Sequence, residues 1–85
     1  MAVAIGVKVR FFARLRELAG VETERLQLPA ASHVSDAYDA LRRAHPSLPA
    51  RESVRAAVNT EFADWDAQVA DGDEVAFIPP VSGGG

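Results

Sequence analysis

Residues 3–11 read VAIGVKVRF, and the alternation within this stretch decides the fold. Successive side chains of a β-strand point to opposite faces, so the alternation predicts a strand that is buried on one face only. Phe12 follows on the polar face, where an aromatic side chain is unexpected if that face meets only water. The residues of the buried face are Val3, Ile5, Val7, Val9 and Phe11.

A short helix and a second strand follow this first strand. Residues 13–20, ARLRELAG, place leucines at helical spacing and end at Gly20, a residue suited to the left-handed cap of a helix. Residues 22–29, ETERLQLP, alternate up to Pro29 and predict a second strand that pairs with the first in a hairpin-like way.

The main helix is predicted after Ser32, which is a plausible N-cap. Its apolar residues follow the helical repeat over three turns, and Pro46 prevents the helix from continuing. We assign Tyr38 to the core. The apolar positions are Val34, Ala37, Tyr38, Leu41 and Ala44.

The last third of the chain is predicted to be β-structure. Residues 54–62, VRAAVNTEF, indicate a third strand that runs into a turn near Asn59 and Thr60. Residues 68–78, QVADGDEVAFI, indicate a short strand, an Asp-Gly turn and a final strand from residue 74 to residue 78. We expect Trp65, between these strands, to pack in the core.

This order of elements predicts an α+β fold, with one main helix packed across a mixed sheet. In the version with the first and last strands central, these two strands are parallel neighbours, and their richness in β-branched residues suits that burial. We expect one domain over residues 1–80 and a flexible glycine-rich tail over residues 81–85.

The composition excludes several classes of function. The 85 residues are 48% hydrophobic and 25% charged, as in an ordinary globular domain. The net charge of −3 and the scattered basic residues argue against a nucleic-acid partner. No apolar run approaches the roughly 20 residues that span a bilayer, so we expect no membrane partner and a cytoplasmic location.

The chain has no cysteine and only two histidines, His33 and His45. The absence of cysteine rules out disulfides, thiolate ligands and a cysteine nucleophile. We therefore predict no metal site.

The C-terminal residues 77–85 read FIPPVSGGG. Pro79 and Pro80 fix φ near −65° and favour extended backbone, so they stiffen the exit from the sheet. The glycines beyond them have no Cβ and can enter narrow channels. This arrangement suits a terminal carboxylate that must reach into the active sites of other proteins.

Four stretches together resemble a known family: RFFARLRELAG, LQLP, AAVN and DGDEVAFIPPVSGG. They resemble the small, sulfur-carrying subunit of molybdopterin synthase, of the MoaD type, over nearly the whole chain. The resemblance implies the ubiquitin-like β-grasp fold. It also implies that an adenylating activating enzyme joins the terminal carboxylate to AMP, consuming ATP. A sulfur donor of desulfurase or rhodanese type then converts the adenylate to a thiocarboxylate.

The reacting residue is Gly85 as the sequence stands. The family ends on a Gly-Gly pair, whereas this chain ends on Gly83, Gly84 and Gly85, so removal of one residue in the cell would make Gly84 the reacting residue.

The resemblance further implies docking on the large catalytic subunit, in a heterotetramer that converts cyclic pyranopterin monophosphate to molybdopterin. The chain itself would bind no cofactor and would not be catalytic alone. The expected contacts lie around the tail exit, with Arg16 at the rim. The predicted partner-binding residues are Phe12, Arg16, Phe62, Ile78, Pro79 and Pro80.

Two other classes of function remain open. The chain could carry sulfur for thiamine, cysteine or tRNA thiolation, or modify proteins through isopeptide bonds. It could also be a passive interaction domain in which the tail does no chemistry.

Overall fold

A computed structural model describes residues 3–80, which form a five-stranded mixed sheet and two α-helices. The strand order across the sheet is β2-β1-β5-β3-β4. Strands β1 and β5 are parallel, and the other neighbouring strands are antiparallel. The elements are β1 (Ala4–Phe11), α1 (Arg14–Ala19), β2 (Thr23–Pro29), α2 (Val34–Ala44), a 3-10 turn (Arg51–Ser53), β3 (Arg55–Val58), β4 (Glu61–Ala63) and β5 (Glu74–Ile78).

The parallel pair at the centre of the sheet confirms the predicted α+β plan. Val9 lies opposite Val75, and Phe11 lies opposite Phe77. All four side chains are buried because helix α2 covers this face. At the end of the pair, the N–H group of Phe12 donates to the carbonyl oxygen of Phe77 at 3.2 Å. The chain therefore leaves the sheet beside Phe12.

Helix α2 covers one face of the sheet. Four of the five predicted apolar positions are fully buried, and the fifth, Ala44, is exposed at the end of the helix; the buried four are Val34, Ala37, Tyr38 and Leu41. The hydroxyl of Tyr38 donates to the carbonyl oxygen of Pro49 at 2.6 Å, which satisfies its polar atom, and burial raises the pKa of Tyr38. The ring centroid of Tyr38 lies 5.4 Å from that of Trp65. The predicted packing roles of Tyr38 and Trp65 are both confirmed.

The start of α2 differs from the prediction by one residue. Ser32 is not the N-cap, because its hydroxyl donates to the carbonyl oxygen of Pro29 at 2.6 Å. The cap is His33, whose backbone N–H donates to the carboxylate of Asp36 at 2.8 Å. This hydrogen bond lowers the pKa of Asp36 below its usual value.

The predicted turn near Asn59 and Thr60 is confirmed, but the strand that follows it was not predicted. Asn59 has φ 50° and Thr60 has φ 73°, and positive φ at both central residues is typical of the tight turn of a β-hairpin. The chain therefore reverses and forms β4, which the sequence did not separate from β3. The short strand predicted at residue 68 is reduced to a single bridge between His33 and Gln68.

The turn between β1 and α1 is strained at Ala13. Its φ of 52° and ψ of −126° lie in a region that favours glycine. The N–H group of Leu15 donates to the carbonyl oxygen of Phe12 at 3.1 Å and closes this turn.

We expect Ala13→Gly to raise the free energy of unfolding by about 1 kcal/mol. Relief of about 1–3 kcal/mol of backbone strain outweighs the greater chain entropy of glycine. Urea denaturation measures the change. The matched control is Ala44→Gly at the end of α2, where glycine is expected to cost up to about 1 kcal/mol. A loss of stability in both variants would show that Ala13 is not strained.

Candidate partner-docking site

Three of the apolar residues predicted to meet a partner lie together on the open face of the sheet. Phe12, Phe62 and Ile78 line one groove of about 250 Å³, on the face opposite α2. The complete lining is Arg10, Phe12, Ala57, Thr60, Phe62, Glu74, Ala76 and Ile78.

The register of the strands explains why a groove forms here. One row across the sheet runs from Arg10 through Ala76 and Ala57 to Phe62. Because the two central positions are alanines, the middle of this row is low and forms the floor. The large side chain of Phe62 borders the floor at one end of the row. Phe12, two residues after Arg10 in the sequence, also lines the groove.

The groove is bordered by exposed aromatic side chains. Phe62 is 67% exposed and Phe12 is 41% exposed, although both are strongly apolar. Single exposed apolar residues are ordinary, but a contiguous patch usually marks an interface. Their convergence with Ile78 around one depression is therefore evidence for a docking site.

Each exposed phenylalanine is paired with an arginine. The guanidinium carbon of Arg10 lies 5.5 Å from the ring centroid of Phe12, and that of Arg55 lies 4.6 Å from the ring centroid of Phe62. Both distances are within the range of cation–π attraction. Arg10 also forms a loose ion pair with Glu74, in which Nη1 and Oε1 are 3.8 Å apart. The groove is thus apolar in its floor, with Arg10 and Glu74 in its lining and Arg55 beside it on the ring of Phe62.

The C-terminal end of β5 connects this groove to the end of the chain. Ile78, the last residue of β5, lines the groove. Pro79 is half-buried and Pro80 is exposed. The predicted tail residues Gly83, Gly84 and Gly85 lie outside the described residues.

Arg16 is not among the residues that line the groove. It is exposed on α1, and its carbonyl oxygen accepts the N–H of Gly20, the left-handed cap of that helix. Its contact with a partner stays a prediction. Sequence reasoning missed Arg10, Arg55 and the two alanines of the floor. The position of Arg10, two residues before Phe12 on the same strand face, was the available signal.

Among the residues that the structure describes, neither histidine belongs to a group that could hold a metal ion. Nε2 of His45 lies 2.7 Å from Oε1 of Glu24, and His33 caps α2. Between residues 3 and 80 no group of three or more histidine, cysteine, aspartate or glutamate side chains is arranged to hold a metal ion. In that same part of the chain, no helix has the length and apolar character needed to span a membrane.

A mixed five-stranded sheet, crossed by one main helix and with its first and last strands parallel at the centre, defines the ubiquitin-like β-grasp fold. The crystal structure of SAMP1 from Haloferax volcanii is similar, with a TM-score of 0.82 and 37% sequence identity. The similarity covers 92% of this chain and 98% of that one.

The model of the ThiS family matches residues 9–84, and the chain belongs to this family. A molybdopterin synthase sulfur carrier subunit of Arabidopsis thaliana is 42% identical, over 95% of this chain and 85% of that protein. Small archaeal modifier protein 1 of Haloferax volcanii is 39% identical, over 88% of this chain and 97% of that protein. The predicted resemblance to the MoaD-type subunits is thereby confirmed.

Proposed function

We propose that this chain is the sulfur carrier subunit of molybdopterin synthase. The observation that carries the proposal is the 42% identity, over 95% of the chain, to a relative with that name. The fold supports it, because β5 ends at an exposed apolar groove and leads directly to the C-terminal residues. A partner that covers the groove would receive the end of the chain.

The reacting group is the terminal carboxylate of Gly85. A terminal carboxyl has a pKa of about 3.3–3.7, so at neutral pH it is an anion and a poor electrophile. In the activating enzyme, a carboxylate oxygen attacks the α-phosphorus of ATP, and pyrophosphate leaves. The resulting acyl-adenylate is a good electrophile, whereas the free carboxylate is a poor one.

Sulfur then replaces AMP on the acyl carbon. A persulfide of a desulfurase or rhodanese-type donor attacks that carbon and expels AMP, which leaves an acyl disulfide. A thiol reduces the acyl disulfide to the thiocarboxylate and is itself oxidised to a disulfide. Because this chain has no cysteine, the thiol belongs to another protein or to a small molecule. The product is a sulfur nucleophile on Gly85.

The loaded carrier then serves the large catalytic subunit. The dithiolene of molybdopterin takes two sulfur atoms from two carriers, which suits a heterotetramer acting on cyclic pyranopterin monophosphate. The large subunit supplies the catalytic side chains, and the activating enzyme consumes the ATP. The present chain binds no cofactor and contributes the docking surface and the terminal acid.

A second candidate function is protein modification. It is favoured by the 39% identity to small archaeal modifier protein 1 of Haloferax volcanii. In this case the activated Gly85 would form an isopeptide bond with a lysine of a target. The adduct would survive denaturing conditions.

Intact-mass spectrometry tests the proposal. After incubation with ATP, the activating enzyme and a sulfur source, we expect a gain of about 16 Da on the last residue, because sulfur replaces one oxygen of the activated acid. The reaction without ATP is the control. Stable attachment to target lysines would favour the modifier, and an unchanged mass under conditions that load a related carrier would favour a passive domain.

A further inference from the structure

We infer that the partner seated on the groove inserts one bulky apolar side chain between Phe12 and Phe62 and flanks it with carboxylates that meet Arg10 and Arg55. The inference rests on the proposed function for the identity of the partner, the large subunit of molybdopterin synthase. The chemistry of its contact surface is derived from the groove itself.

The shape of the groove calls for one inserted side chain. Its floor consists of Ala57 and Ala76, and Ala57 is only 6% exposed although it faces the open side of the sheet. An apolar cavity of about 150 Å³ holds a benzene ring, so a groove of about 250 Å³ accepts a side chain of the size of leucine or phenylalanine. Buried anchors of this kind contribute most of the binding energy in protein interfaces.

Arg10 has an unused hydrogen-bond donor at the groove. Its Nε atom is buried and has no hydrogen-bond partner within residues 3–80. The distance of 3.8 Å between Arg10 and Glu74 is too long for a hydrogen bond. A carboxylate of the partner cannot reach this buried Nε, but the Arg10 side chain is 39% exposed, so a carboxylate can meet the outer N–H groups of its guanidinium.

Arg55 lies next to the groove, opposite Ile78 in the register of β3 and β5, although it is not among the lining residues. It takes part in none of the ion pairs formed within residues 3–80. Its guanidinium rests on the ring of Phe62, which holds the charge at the rim where a partner would meet it. A guanidinium presents a planar fork of N–H donors that matches a carboxylate.

The charges around the groove differ from the net charge of the whole chain. The chain carries a net charge of −3, which by itself would attract a basic partner. Around the groove, Arg10 and Arg55 stand against Glu74 and Asp64, and among these four residues only Arg10 and Glu74 form an ion pair, at 3.8 Å. At physiological salt the Debye length is about 8 Å, so the charges in contact decide the outcome rather than the distant ones. Neither guanidinium has a hydrogen-bonded carboxylate within residues 3–80, so carboxylates at the contact surface are the complement of the two arginines.

The first test measures binding of the large subunit of molybdopterin synthase from the same organism, by calorimetry at low and high salt. We expect the double variant Arg10→Gln/Arg55→Gln to bind roughly tenfold to a hundredfold more weakly at low salt and to lose most of the salt dependence. The matched control is Arg42→Gln/Arg43→Gln, which changes the net charge equally on α2. This control is expected to bind within about twofold of the wild type, because exposed charges away from a contact contribute little.

The second test fills the groove. Ala76→Leu places a larger side chain on the floor, and we expect it to weaken binding by about a hundredfold or more, because it occupies the space of the inserted anchor. The control is Ala44→Leu, at an exposed position of α2. Circular dichroism of each variant verifies that the fold is retained.

The outcomes separate the inference from the proposed function. If the wild type does not bind the large subunit, both are overturned. If the wild type binds and either the arginine variant or the groove-filling variant binds equally well, the inference is wrong and the proposed function stands. Stronger binding by the arginine variant would show that the partner presents basic rather than acidic side chains.

Discussion

Removal of Gly84 and Gly85 is expected to slow sulfur loading by at least about a hundredfold. The truncated chain still has a terminal carboxylate, on Gly83, but its reach is about 7 Å shorter at 3.3–3.6 Å per extended residue. Reacting atoms must approach within about 3–3.5 Å, and a misplacement of 1 Å can cost about a hundredfold in rate. The initial rate of thiocarboxylate formation, followed by intact mass, measures the effect.

Removal of Gly85 alone distinguishes between the two possible reacting residues. This variant ends on two glycines, as the MoaD-type family does, so loading at the full rate would show that Gly84 can be the reacting residue once Gly85 is removed. Loss of loading would show that the reaction needs the carboxylate of Gly85. Urea denaturation of both truncated chains serves as the control for folding. Wild-type loading by the chain that lacks both glycines would contradict a reaction at the terminal acid.

Much of the fold follows from local patterns in the sequence. The alternation predicts the buried side chains of β1 except at Val3, which precedes the strand and is 66% exposed. The helical repeat predicts the four buried residues of α2 but also Ala44, which is exposed at the end of the helix. Both patterns are reliable because one face of each element packs against the other element. The turn at Asn59 and Thr60 was predicted, but β4 was not recognised as a strand, because its three residues, Glu61–Ala63, are too few to show an alternating pattern.

The site was only partly predictable, for a physical reason. Phe12 was noticed because an aromatic residue stood on a polar face within a single strand. The floor of the groove, in contrast, joins Ala57 of β3 to Ala76 of β5, which lie opposite each other only in the folded register. The alanines have no local signal that marks them as the floor of a groove, and Arg55 looks like an ordinary surface residue. Such features depend on pairing between strands that are distant in the sequence.

Phe77 of β5 packs in the core, and we expect it to be essential for the stability of the domain. Phe77 is fully buried at the centre of the aromatic cluster, with its ring centroid 4.9 Å from that of Tyr38 and 6.1 Å from that of Trp65. Replacement of a buried phenylalanine by alanine costs about 3–5 kcal/mol. Domains have only about 5–15 kcal/mol of stability, so Phe77→Ala is expected to remove a large share of it. Urea denaturation followed by circular dichroism measures the change.

The matched control is the next residue along the same strand. Ile78 points to the open face and lines the groove, so its side chain is only half-buried in the free protein. We expect Ile78→Ala to cost about 1 kcal/mol of stability, well below the 2–5 kcal/mol of a fully buried site, and to weaken binding of the large subunit by about tenfold or more. Equal losses of stability in the two variants would contradict the assignment of Phe77 to the core face of β5 and of Ile78 to its open face. With unequal losses, one face of the strand holds the domain together, and the other is available for the partner that receives the end of the chain.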